Sequence, residues 1–214
     1  ELNLHQNWSP AHGTHRIIYG LSYTGNDISE QRDATETNHS TGQISNNLLG
    51  EQFPLRDFPQ SDVQEWALFF HDEIEFNRTW SMIAAMRYDH YRMSPQKDHL
   101  FVGQTSGISS SDFSPKLGLL YHASERSNFY LQYVRGFRAA PFSDVNFALN
   151  IPFLNTIAIA NPDLKSETSN GYELGYRWFA DTQRLNISYF HTDYNDLIES
   201  KTRVGFDPQS QALI

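Results

Sequence analysis

The residues able to do chemistry in this chain are few and widely spaced. There is no cysteine, which removes disulfides, thiolate zinc sites and cysteine nucleophiles, and which is compatible with an oxidising periplasm or cell surface. No Gly-x-Ser-x-Gly elbow occurs and no His, Asp and Ser group stands at one strand level, so no catalytic residues are read from the chain and it is not expected to be an enzyme. Among the nine histidines, His12 and His15 lie near the start of the first alternating stretch, His71, His90 and His122 lie within such stretches, and His39 and His99 lie in long polar loops. For those on strands, lining or interface packing is expected before ligation, and no metal site is expected. Two short constellations stand out. Arg138 beside Pro141 suits a strand end and loop departure, with Glu167 or Glu173 as carboxylate partner, and Asn161-Pro162-Asp163 is a turn signal.

The elements that must position these residues are legible in the hydrophobic pattern. Aromatic residues make up 14% of the 214 positions and charged residues 19%, yet no run approaches the ~18 to 20 apolar residues of a membrane helix, which leaves a soluble fold or a β-barrel. Period-two alternation runs through Gly13 to Gly25, Asp62 to Phe76, Thr79 to Met93, Phe113 to Ala123, Asn128 to Arg138, Thr168 to Phe179, and Gln183 to about Glu199. These are roughly seven strands, each near or above the ~10 residues that cross a bilayer when tilted.

Connections alternate between tight turns, at Asn77, Ser124 to Ser127, and Asp181 with Thr182, and long polar loops, at Asn26 to Ser61, Ser94 to Asp112, and Ala139 to Glu167. Outer-membrane barrels have this asymmetry of short periplasmic turns and long extracellular loops. The fold class read from it is all-β, an antiparallel transmembrane β-barrel present in part, with the first strand running outward. One face carries Tyr19, Tyr23, Trp66, Trp80, Tyr88, Tyr121 and Trp178 toward a lipid bilayer; the other holds Arg16, Arg87, Asp89, Lys116, Glu173 and Arg177 in a wet or plug-filled lumen, and Asp72 breaks the lipid-facing row. An antiparallel sheet with one wet face explains each strand equally well taken alone. The net charge of −9, with scattered Lys and Arg, disfavours a nucleic-acid partner. Glu1 to Pro10 lack the basic start and apolar core of a signal peptide, so the chain reads as cut from something longer.

Phe137, Arg138, Ala139, Ala140 and Pro141 resemble the "FRAP" box of TonB-dependent haem and haemoglobin receptors, and Asn161, Pro162, Asp163 and Leu164 resemble their "NPNL" box. Ser114-Pro115-Lys116-Leu117-Gly118, Lys165-Ser166-Glu167-Thr168 and Tyr172-Glu173-Leu174-Gly175 are similar too, so the likeness covers nearly the whole chain. The resemblance implies a Gram-negative outer-membrane receptor of about twenty-two strands around an N-terminal plug, with cargo captured by outer loops and import driven by TonB. Residues 1–214 are then an internal part of the barrel domain, without plug or TonB-contacting segment. Haem, haemoglobin or another iron carrier is the implied partner, and haem is transported cargo rather than a tightly bound cofactor. Many haem receptors carry a histidine between the boxes; Ser143 to Ala160 has none, which leaves His39 and His99 as candidate axial ligands. Phe147 and Phe153 are candidate ligand contacts in an apolar stretch that either meets a porphyrin or partner or folds into the barrel mouth. A siderophore or cobalamin receptor, a passive porin and a soluble β-sandwich are the alternatives. For the two boxes a role in fixing the loop is favoured over direct ligand contact.

Overall fold

The computed structural model describes residues 1–10, 13–200 and 202–214; His12 lies outside them. In chain order come β1 (Leu2–Trp8), β2 (Thr14–Ile28), the short β3 (Glu36–Thr37), β4 (Ile44–Ser45), β5 (Asn47–Leu48) and β6 (Glu51–Gln52), and then β7 (Ser61–Glu75), β8 (Trp80–Pro95), β9 (Ile108–Ser124) and β10 (Ser127–Arg138). There follow a helical turn α1 (Phe142–Asn146), β11 (Leu149–Ile151), β12 (Thr156–Ala158), β13 (Glu167–Phe179) and β14 (Arg184–Asn195). Eight of these form one sheet in the order β1-β2-β7-β8-β9-β10-β13-β14. Each is antiparallel to its sheet neighbours, so the wall is a meander.

All seven strands expected from the alternation are present, and β1 is an eighth. Its outward row, Leu2, Leu4, Gln6 and Trp8, is interrupted by a polar residue and spans only 7 residues, too little to announce itself; pairing with β2 from Leu2↔Leu21 to Trp8↔His15 forms it. β9 also starts earlier than the pattern indicates. Ser109 to Asp112 show no apolar period, and the β8 ladder, from Met93↔Ile108 to Asp89↔Asp112, holds them extended.

Tight turns close one end. Asn77 Oδ1 accepts from the Thr79 and Trp80 amides at 2.8 and 3.0 Å, and Ala180 N–H donates to the Gln183 carbonyl at 2.8 Å. The opposite, long-loop end is the extracellular one in a barrel of this kind. Leu68, Leu131 and Leu174 remain more than half exposed on the outer face, with no second sheet against them among the described residues, so a β-sandwich is excluded. Two rows of rings bound this face. Near the tight turns run Trp80, Tyr121, Phe129 and Tyr176, with successive centroids 4.6, 6.4 and 4.7 Å apart. Toward the loops stand Trp66 with Tyr88 at 5.4 Å, and Tyr133 with Tyr172 at 5.1 Å. Rings with a polar edge belong at such interfaces.

Asp72, which breaks the outer row, meets His15 Nδ1 at 2.7 Å, and the ring of Trp8 lies 5.0 Å from that of His15. Pairing is what makes a carboxylate tolerable on a lipid-facing surface. The inner face is polar and paired: Arg16 with Glu73 at 3.1 Å, Arg87 with Asp89 at 2.7 Å, and Glu173 accepting from Tyr130 Oη at 2.7 Å and Gln132 Nε2 at 2.8 Å. Arg177 stacks 4.4 Å above the Tyr130 ring. The β9–β10 ladder stops at Val134↔Lys116, next to Pro115, which has no amide to donate. Beyond it Arg135 binds Asp112 through Nε and Nη2 at 3.1 Å each, joining the parted strand ends with side chains.

Tyr130 lies flat over Gly175: a Cβ there would sit 2.2 Å from Tyr130 Cζ. Gly175→Val in the full-length protein is therefore expected to lower stability by about 1–3 kcal/mol by overpacking, read as a lower denaturant midpoint in detergent. Adding Tyr130→Ala, which removes the obstructing ring, should make the pair less destabilised than the sum of the single changes.

Candidate functional site

Apolar burial concentrates above the wall, among the loops. Phe53, Val63, Met93, Phe101, Ala140, Val145 and Ala212 are buried there, and polar contacts tie loop to loop. In the first loop Arg32 Nη1 and Nη2 donate to Glu51 at 3.1 and 2.9 Å, and Nη1 donates to Asp57 at 3.0 Å. Glu51 foremost, then Asp57, raises the Arg32 guanidinium above its ordinary range against the opposing effect of burial. Arg56 pairs with Asp98 and donates to the Glu30 carbonyl, while its own amide donates to the Leu100 carbonyl at 3.1 Å, joining the first loop to the second. The second and third loops meet where Asn146 accepts from the Ser106 amide at 2.6 Å and returns a bond to its carbonyl at 2.9 Å. The first and third meet at Phe58 and Phe142, edge to face at 5.2 Å, and where Ala148 N–H donates to the Asp57 carbonyl at 2.7 Å.

The two boxes stand at the two ends of the third loop. Phe137 and Arg138 end β10, where Arg138 stands directly opposite Glu167 in the ladder and donates to it at 2.9 Å. Glu167 was one of the two carboxylates expected to pair with Arg138; the other, Glu173, is held by Tyr130 and Gln132. Glu167 is buried, and its second oxygen accepts the Ile198 amide at 2.6 Å, which fastens the segment after β14. Ala139 is half-buried and Ala140 fully so, and the Pro141 carbonyl accepts from Asp144 and Val145 at 3.1 and 3.3 Å to start α1. Asn161 then donates its amide to the Asp144 carbonyl at 3.1 Å, tying the second box to α1, which begins where the first box ends. Within the second box Asn161 Oδ1 caps the Asp163 amide at 3.2 Å, Pro162 is exposed, and Leu164 turns partly inward.

Between the third loop and the segment after β14 lies an apolar cleft of about 760 Å³, lined among others by Phe147, Ile157, Ile159, Leu164, Val204 and Leu213. Asp144, Asn161 and Arg203 bring polar groups to it. The stretch between the boxes thus divides: Val145 and Asn146 fold into the cap and Phe147 lines the cleft, whereas Phe153 stays 68% exposed. His39 sits in an exposed turn in which Asn38 Oδ1 caps Ser40 and Thr41, and His99 is exposed in the second loop. Neither lines the cleft, and among the described residues no group of three or more His, Asp or Glu is placed to hold a metal ion.

Sequence reasoning missed Arg56, Asp98, Asn146, Ile198 and the whole 202–214 side of the cleft. Their partners are brought near only by the folding of separate loops, and no local spacing signals such contacts. Since Glu167 alone joins Arg138 to Ile198, Glu167→Ala should speed hydrogen exchange at the Ile198 amide and cost about 1–3 kcal/mol for the buried groups left unpaired. Arg138→Ala, at a guanidinium mostly in water, should change both less.

The match to known proteins follows the fold. The family model described as TonB dependent receptor-like, beta-barrel, matches residues 1–211. The metal-pseudopaline receptor CntO of Pseudomonas aeruginosa is 24% identical over 172 residues, 76% of this chain and 22% of that protein. Hemoglobin-haptoglobin utilization protein B of Neisseria meningitidis is 30% identical over 142 residues, 63% of this chain and 17% of that protein. The hemophore receptor HasR of Serratia marcescens, solved with its hemophore HasA and heme, superposes with a TM-score of 0.65 at 16% identity, over 89% of this chain and 32% of that one. The chain thus spans about a fifth of the length of these curated relatives. It belongs to the TonB-dependent receptor β-barrel family, as a stretch of antiparallel outer-membrane barrel wall and not as an enzyme.

Proposed function

We propose that this stretch forms wall and extracellular cap of a receptor that takes up haem, or iron from haem proteins, with import driven by TonB through an N-terminal plug. The observation that carries the reading is the Asn161 to Asp144 hydrogen bond, which holds the second box against α1, the turn that follows the first box, at the lip of one apolar cleft. A porphyrin presents broad apolar faces and two carboxylates. Burying those faces against Phe147, Ile157, Ile159 and Leu164 contributes roughly 25 cal/mol per Å². Arg203, at the cleft, offers a guanidinium to a carboxylate. The cleft lining named for this stretch includes no imidazole, so it holds such a ligand by face and edge rather than by the iron. The relative named for hemoglobin-haptoglobin utilization supports this cargo.

A siderophore or other metal chelate is the second reading, supported equally by the relative named as a metal-pseudopaline receptor. The same apolar cleft accepts any chelate with a flat hydrophobic face. A passive porin has no use for the paired boxes or for loops packed into a cap. In cells stripped of other iron uptake, the full-length receptor is expected to support growth on haem or haemoglobin as sole iron source. Ile157→Arg should abolish that growth at unchanged surface expression. Growth on a ferric siderophore alone would reject the haem cargo and leave the barrel assignment standing.

A further inference from the structure

Just beyond the outer row of rings, the lipid-facing side of β8 and β9 changes character. Past Tyr88 it presents His90 and then Arg92 on β8, with Ser111 and Ser109 opposite them in register on β9. His90 Nδ1 lies 2.8 Å from Ser111 Oγ, and the Trp66 ring packs 5.3 Å from the imidazole. A notch of about 470 Å³ opens there on the outer surface, lined by His90, Arg92, Ser94, Gly107 and Ser109, with buried Met93 and half-buried Ile108 behind them.

The charge around this notch is one-sided. Arg92 is exposed and makes no ion pair among the described residues. Its β7 neighbour is the neutral Gln64, and the outward-facing acid next along that strand, Asp62, is occupied by Gln96 Nε2 at 3.0 and 3.1 Å. The notch lining therefore gathers a guanidinium, an imidazole and the Ser94 and Ser109 hydroxyls, all able to donate, and itself carries no carboxylate. A planar guanidinium fork matches phosphate oxygens, and basic groups at membrane depth bind lipid headgroups in this way.

We infer that the notch of Arg92, His90, Ser94 and Ser109 binds the phosphate of an outer-leaflet lipid headgroup. Its height selects a lipid over a soluble anion: Tyr88 and Phe113, exposed and paired across the two strands directly below, lie where the attached acyl chains must run. The site is on the opposite side of the wall from the lumen and apart from the cleft, so it does not depend on which cargo is carried.

The test uses the full-length receptor in neutral detergent, titrated calorimetrically with short-chain phosphatidic acid, with phosphatidylcholine of the same chain length, and with inorganic phosphate. Phosphatidic acid is expected to bind more tightly than phosphatidylcholine. Arg92→Gln should weaken phosphatidic acid about tenfold or more, the size of one charge-assisted hydrogen bond, while Arg92→Lys should weaken it less. Circular dichroism and thermal midpoint should not change at this exposed position. Equal binding of phosphatidic acid by native receptor and Arg92→Gln would overturn the inference. So would equal affinity for the two lipids, which would assign binding to the acyl chains alone. Displacement of the lipid by inorganic phosphate at matching concentration would make this a free-anion site and reject the lipid.

Discussion

A backbone amide or carbonyl left unpaired in hydrocarbon costs several kcal/mol, and that cost shapes everything between the two rows of rings. A meander of long antiparallel strands meets the requirement strand by strand, because each new strand satisfies the free edge of the last. With the backbone settled, side chains are free to divide by parity. Outward positions take Leu, Ile and ring residues, and inward positions take the Arg16, Glu73, Tyr130 and Glu173 groups that water or protein can satisfy. A single sheet has no interior of its own. On its inner side the wall packs only locally, as at Gly175 beneath the Tyr130 ring and at Ala67, buried in β7.

Burial has accordingly moved to the loops. Three long connections pack on one another through Phe58 and Phe142, Asn146 and Ser106, and Arg56 with Asp98, whose side chains are only 10% and 4% exposed. A pair so shielded is weak evidence for added stability, but removing one partner strands the other charge and is strongly unfavourable. These contacts therefore fix geometry: they hold the third loop at a set height above the wall, and through it the cleft beside the second box.

Parity made most of the wall legible from sequence. Trp80, Met82, Ala84, Met86 and Tyr88 declare a strand without further help, whereas Arg138 could be read only as a partner of Glu167 or Glu173, and the ladder that sets it opposite Glu167 decides between them. β1 was not legible, since Gln6 interrupts its apolar row, nor was the start of β9, where serines are held extended by the neighbouring strand alone. The cap was opaque for a different reason. The contacts that join one of the three loops to another link positions forty or more residues apart in segments without period, such as Arg56 with Asp98, and local pattern carries no record of them.

Pro115 leaves the outer ends of β9 and β10 joined by a guanidinium and a carboxylate where the lower wall is joined by peptide groups. Hydrogen bonds between the peptide groups of paired strands form or fail as a row, whereas one ion pair can stretch, rotate and re-form by itself. The rim thereby gains a soft joint at the base of the loop that bears the first box, while the part of the wall in contact with acyl chains stays stiff.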